Sequence, residues 1–277
     1  MSSRNVYAIT SIGRPLDPAY PTNRAVIRLL PLAALIAAAA YGVRHGLEAG
    51  LLWNALTGML AAFGGWALAR ELAPDHNPAA FAAMTLAFAT WLLLDGAPVL
   101  PLFLCLFLVR IVNRSVGLPA RISDAVAVTA LAVGCAWLYG NAWLAFVGGM
   151  AFLLDATLPP GLTRQRAFAA VCIIAGGWLH ATTGAAQLAY APLTGVARWL
   201  PIGIAVAFVV IILLTRDVVA KSDATGEPLS SGRVRAGMWI GLFVAAQSLL
   251  LGREQILAVA LVWASLAGAA LHRPRSA

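Results

Sequence analysis

Apolar residues in this chain do not alternate with polar ones. They run together in long blocks separated by short polar breaks, at about 25–43, 49–69, 79–94, 98–113, 125–139, 142–157, 167–190, 199–215, 236–251 and 255–271. Blocks of this length without period-2 alternation predict helices rather than strands. Several sit near the lower limit of roughly 17 residues that a helix rising 1.5 Å per residue needs to cross a ~30 Å hydrocarbon core. The expectation is an all-α, polytopic membrane bundle of about ten transmembrane helices in a locally thinned bilayer, or eight if the shortest blocks are re-entrant. Residues 1–24, broken by Pro15, Pro18 and Pro21, read as a flexible tail. The first block reads as an uncleaved anchor, because a long polar stretch precedes it and Arg28 lies in its first turn. Residues 25–271 then form one transmembrane domain with a polar loop at about 216–235, and 272–277 a basic tail.

Composition supports a bilayer as the solvent. The chain of 277 residues is 61% hydrophobic and 11% charged, with a mean hydropathy of +0.84, against about 45–50% and about 25% in soluble domains. Charge placement sets the orientation. With a cytoplasmic N-terminus, ten crossings put every basic residue inside except Arg44, Arg198 and Arg253, the bias expected of a bacterial-type inner (plasma) membrane protein with both termini cytoplasmic. The net charge of +8 is dispersed between apolar blocks rather than gathered in a stripe, which excludes a nucleic-acid partner. Cys105, Cys135 and Cys172 fall inside apolar blocks without a C-x-x-C and read as buried thiols. Nothing predicts a metal or other cofactor, and no phosphate-binding G-x-x-x-x-G-K-[ST] loop occurs. Lys221 is the only lysine and lies in a polar loop, so no retinal Schiff base can form within the membrane.

Two groups of residues are candidates for chemistry. The first is a cytoplasmic rim that could bind an anion, built from Arg70 and Asp75 of the stretch RELAPDHNP and from Arg110, Asn113, Arg114, Arg121 and Asp124 of RIVNRSVGLPARISD. Arg110 and Arg114 share a helix face at i, i+4, and Asn77 and Ser123 suit helix N-caps beside them. Glu71 and Asp155 are further acids at this rim. The bland alternative is that the arginines only set topology and snorkel to lipid phosphates. The second group lies in the bundle interior, with Asn54, His180, Gln187 and Gln247 as polar positions lining a path for a substrate. Gly177, His180, Gly184 and Gln187 recur on one helix face, as do Asn54, Gly58, Ala61 and Gly65, while Gly237-x-x-x-Gly241 lies near Gln247. His180 is ionisable and far from both ends of its block, which marks it as a functional candidate, against the alternative of a neutral histidine packed between helices.

Gly64-Gly65-Trp66 recurs as Gly176-Gly177-Trp178, which would relate two five-helix halves inverted in the membrane. Ten short helices with both ends inside resemble the layout of the drug/metabolite transporters, a likeness of architecture that rests on no sequence motif. It implies a secondary carrier for a small metabolite. The acidic loops also invite comparison with the UbiA prenyltransferases, but the paired D-x-x-x-D-type motifs of that family are absent, as is a CDP-alcohol phosphotransferase pattern. Three functions therefore stand: the carrier first, then an intramembrane enzyme acting on a lipid-linked phosphate or other anionic headgroup, and then a non-catalytic membrane subunit. The expected partners are the lipid bilayer, a small-molecule or lipid-headgroup ligand, and a second copy or membrane partner held through small-residue helix faces.

Overall fold

The structure is a computed structural model and describes residues 3–183 and 195–271. It is all-helical, and the described residues contain no strand, only a single antiparallel bridge between Lys221 and Pro228. A short α1 (Ser3–Ile9) is followed by α2 (Pro21–His45), α3 (Gly50–Leu72), α4 (Asn77–Leu93), α5 (Leu100–Asn113), α6 (Ile122–Leu138), α7 (Ala142–Thr157), α8 (Gln165–Thr183) and α9 (Val196–Leu214). The ninth apolar block is α10 (Ser231–Ala246) continued by α11 (Ser248–Leu251), and the tenth is α12 (Arg253–Ala258) continued by α13 (Ala260–Ala270). Every apolar block is thus helical over its described residues. Among the described residues, α2, α3 and the α10–α11 pair are long and apolar enough to cross a membrane by themselves.

Helix ends follow from local chemistry. Pro21 opens α2, where its missing N–H is not needed, and Gly46 closes it at φ 87°. Asn141 caps α7 by accepting from the Trp143 N–H, and Ser230 caps α10 through Arg233. The two caps expected at the rim are not made. His76 precedes α4, and Arg121 precedes α6, which puts Asn77 and Ser123 inside the first turns with no capping bond.

The core forms where glycines let helices approach. A Cβ on Gly65 would meet Ala87 at 2.6 Å and the Ala83 carbonyl at 2.8 Å, so α3 lies directly on α4. Gly149 stands in the same relation to Ile173 and the Ala169 carbonyl, at 2.8 and 3.2 Å, and brings α7 onto α8. In both hairpins an acid follows the second glycine by six residues, Glu71 after Gly65 and Asp155 after Gly149, and both acids are buried. The pairs α3–α4 and α7–α8 thus share a glycine contact and a buried acid. The Gly-Gly-Trp of the second block has a different surrounding from that of the seventh, because nothing lies within 4 Å of a Cβ at Gly177. Gly58 meets Ala37 and Trp91, Gly237 meets Asn113, and Gly241 meets Leu72. The small-residue faces of α3 and α10 are thus packed within the chain, whereas Gly177 on α8 meets nothing within 4 Å.

The N-terminal stretch is not the free tail that its prolines suggested. Thr10 and Ser11 both bond to Asp124, the latter through its backbone N–H at 2.7 Å and its hydroxyl at 2.5 Å. Ser11 and Ile12 are buried. The physical reason is that Asp124, in the first turn of α6, needs donors once it is buried, and this segment supplies them. Replacing Asp124 by Ala is expected to cost roughly 2–3 kcal/mol from bonds to a charged group and to release the segment. Limited chymotrypsin digestion should then cut after Tyr7 many times faster than in the parent protein, and an unchanged rate would refute this anchoring.

Candidate functional site

The connections 73–76, 114–121, 158–164 and 215–230 meet at one rim. Asp75 accepts the backbone N–H groups of Val219 and Ala220 at 3.1 and 2.7 Å. The N–H groups of Asp223 and Ala224 bond to the Ser115 and Val116 carbonyls. Arg164 donates to the Ala120 carbonyl at 2.5 Å. Two buried acids organise what lies beneath. The Glu71 carboxylate, with no exposed surface, receives Arg14 at 3.1 Å and Arg110 at 3.0 Å, while Asn113 donates to its backbone carbonyl at 2.8 Å. The equally buried Asp155 carboxylate receives Arg114 at 2.7 Å, Arg233 at 2.8 Å and Gln165 at 3.1 Å.

These two centres differ in what fills the space around them. Arg233 spends its remaining donors on the carbonyls of Val112, Leu158, Pro159 and Pro160, so its donors are all used and the 158–160 backbone closes over the Asp155 centre. Beside Glu71 a cavity of about 600 Å³ remains, lined by Arg14, Arg70, Arg110 and Lys221, and by Asp17 and Asp223. Arg14 is committed to Glu71 and to Asp223, at 2.5 and 2.8 Å for the latter. Burial opposes the charge of Arg14, but Glu71 and Asp223 outweigh it and hold the guanidinium protonated well beyond its ordinary range. Asp17 accepts from its own backbone at Ala19. Arg70 bonds to the Asn77 amide oxygen at 3.1 Å and lies 5.6 Å from the centre of the Trp66 ring. Among the described residues neither Arg70 nor Lys221 has an acidic partner. Tyr7 also lines the cavity. Its own burial, and after that Asp223, raise its phenol above the ordinary value, so the hydroxyl stays a donor. The remaining wall mixes polar side chains, Thr22, Asn23, Asn77 and Ser222, with apolar and aromatic ones, among them Phe63, Trp66 and Leu16.

Of the rim residues singled out in the sequence, Arg70 and Arg110 line this cavity, and Asn113 sits behind it. Arg114 parts from Arg110 although they are four residues apart. The helix ends at Asn113, and Arg114 takes a left-handed conformation (φ 50°, ψ 45°) that turns its side chain to Asp155. Arg121 bonds to the Tyr7 carbonyl, Asp124 to the N-terminal segment and Asp75 to the loop backbone, so none of the three faces the cavity. Arg14, Tyr7 and Lys221 are the participants missed. Their signal was faint: one arginine in a proline-broken tail, and the sole lysine in a polar loop.

The described interior candidates, Asn54, His180 and Gln247, do not lie together. Asn54 donates to the Gly50 carbonyl of its own helix at 2.9 Å. Gln247 is buried and accepts from Asn141, which also donates to Gln255, each at 2.9 Å. His180 is exposed on the outer surface of α8 rather than turned into the bundle, and Gln187 and Gly184 lie outside the described residues. Among the described residues no cluster of His, Cys, Asp and Glu has the make-up of a metal site. Comparison with protein families, curated proteins and solved structures finds no match to this chain.

Proposed function

We propose that this is a multi-pass protein of the inner (plasma) membrane, its helical blocks crossing about ten times with the cavity rim cytoplasmic, and that it binds an anionic ligand there, with a phosphate or carboxylate group. The observation that carries this reading is the pair Arg70 and Lys221, two cations without acidic partners among the described residues, facing one cavity of about 600 Å³. Charge-assisted bonds to such groups are among the stronger ones available to a protein. The reading favours the headgroup-binding alternative over the carrier, because the described polar residues assigned to a carrier's path, Asn54, His180 and Gln247, lie at separate places. It assigns no catalytic acid, since Asp75, Asp124 and Asp155 are each engaged by backbone or arginine donors.

The test is binding of inorganic phosphate and of short-chain anionic probes to the purified protein by calorimetry. Loss of one charge-assisted bond costs about 1.5–3 kcal/mol, or roughly tenfold to a hundredfold in affinity. Arg70→Ala and Lys221→Ala should each weaken binding by at least tenfold without lowering the melting temperature. Equal affinity in the parent and both variants, or no binding of any probe, refutes the proposal.

A further inference from the structure

We infer that the ligand of this cavity is an amphiphile of the inner leaflet, a lipid bearing a phosphate group, whose headgroup sits at Arg70 and Lys221 while its chain leaves between α2 and α3. The inference rests on the anion-binding reading above and adds the ligand's class and its route.

Three observations carry it. The first is a polarity gradient along one face of α3. Phe63, Trp66, Ala67 and Arg70 all line the cavity, at i, i+3, i+4 and i+7, the spacing of a single helix stripe. From Phe63 to Arg70 that stripe runs roughly 10 Å along the axis. It begins at an aromatic wall, where Phe63 stacks near Trp66 and Phe103 with ring centres 6.0 and 6.4 Å apart. It ends at the cations. A ligand matching it is apolar at one end and anionic at the other.

The second observation is the wall opposite. Tyr20, Thr22 and Asn23, at the start of α2, complete the cavity. Helices α2 and α3 touch closely further along, where a Cβ on Gly58 would lie 2.5 Å from that of Ala37. They leave the cavity between them only toward the rim. Within α2 only Val26, Ala33 and Ala37 are buried, and its packing is chiefly on α3. This wall is therefore one helix thick, and Ile27, Leu32, Leu35 and Ile36 on α2 are exposed apolar side chains suited to lipid tails. Tyr20, exposed at 62%, stands at the mouth, where an aromatic ring with a polar tip suits the headgroup level of a bilayer.

The third observation is size. Cavities of about 300–1,000 Å³ enclose ligands of drug size. A volume of about 600 Å³ far exceeds a bare phosphate and leaves room for the glycerol region and the start of a chain. A free phosphate would engage the cations and leave Phe63 and Trp66 unused.

The test uses the full chain in phosphatidylcholine nanodiscs. Dioleoyl phosphatidic acid is added at a few mole per cent, inorganic phosphate in a separate arm, and binding is read by native mass spectrometry and thermal shift. A phosphatidic acid carrying a diazirine near the start of one chain supplies the position by cross-linking. The inference expects phosphatidic acid to bind and its affinity to fall at least tenfold in the Arg70→Ala, Lys221→Ala double variant. Cross-links should fall on peptides containing Tyr20 or Phe63. If inorganic phosphate binds with the same arginine and lysine dependence while phosphatidic acid does not, the ligand class is overturned and the anion site stands. If neither binds, both fall. Cross-links spread evenly over α6, α8 and α9 would overturn the route. Because this readout uses the parent chain, it does not depend on any variant folding.

Discussion

Replacing Asp155 by Ala is expected to leave no stable protein at ambient temperature. The carboxylate has no exposed surface and answers two guanidinium groups, Arg114 at 2.7 Å and Arg233 at 2.8 Å. Arg233 is almost fully buried, and its other partners are neutral carbonyls. Removing the acid therefore strands positive charge where water cannot reach it. Breaking one buried pair in this way costs about 3–5 kcal/mol, a large share of the stability of a typical domain. Thermal unfolding in mild detergent, followed by size-exclusion profile, should show a fall of many degrees or an aggregated product. The double variant Asp155→Leu, Arg233→Met removes the imbalance and should recover a good part of the loss, although Arg114 still lacks its partner. A single variant as stable as the parent would show that the two arginines find other counter-charges.

Glu71→Gln should behave differently, although Glu71 occupies the corresponding place in the other hairpin. It keeps the shape and removes the charge, so Arg110 loses its only acidic partner among the described residues while Arg14 retains Asp223. A destabilisation of roughly 3 kcal/mol follows from the same argument. The difference lies in the cavity next to it, because an anion bound there can supply the missing charge. Phosphatidic acid or phosphate should therefore raise the melting temperature of Glu71→Gln by more than it raises that of the parent, following the linkage between ligand binding and stability. No ligand should rescue Asp155→Ala, whose centre is closed. Equal ligand stabilisation of the parent and Glu71→Gln would separate Glu71 from the anion site.

The positions of the helices were legible because a run of apolar residues with too few polar ones has one satisfactory backbone solution in a bilayer. What faces inward was not legible, and His180 shows why. In water a helix declares its buried side by contrast with a polar one, but in lipid both sides are apolar. The spacing of Gly177 and His180 fixed a shared face without fixing its direction. Gln247 was read on the inner side of its helix and is buried there, yet its partner Asn141 lies more than a hundred residues away. At the rim, Arg110 was placed well because a helix carried it. Arg114 was misplaced because one left-handed residue redirects a side chain, and nothing in VNRSVG announces where the helix stops. Arg14 was invisible because its role is set by Glu71 and Asp223, neither of which it neighbours in sequence.

The span of those bonds has a consequence for how the protein is made. Arg14 leaves the ribosome well before its two acids, which follow 57 and 209 positions later. No nascent chain that stops short of Asp223 can hold this guanidinium between both carboxylates, and Lys221 too is absent until that point. Synthesis from the N-terminus onward therefore builds most of the bundle before the cavity has its full set of charges. An arginine made this far ahead of its acids is among the last groups to be fully paired.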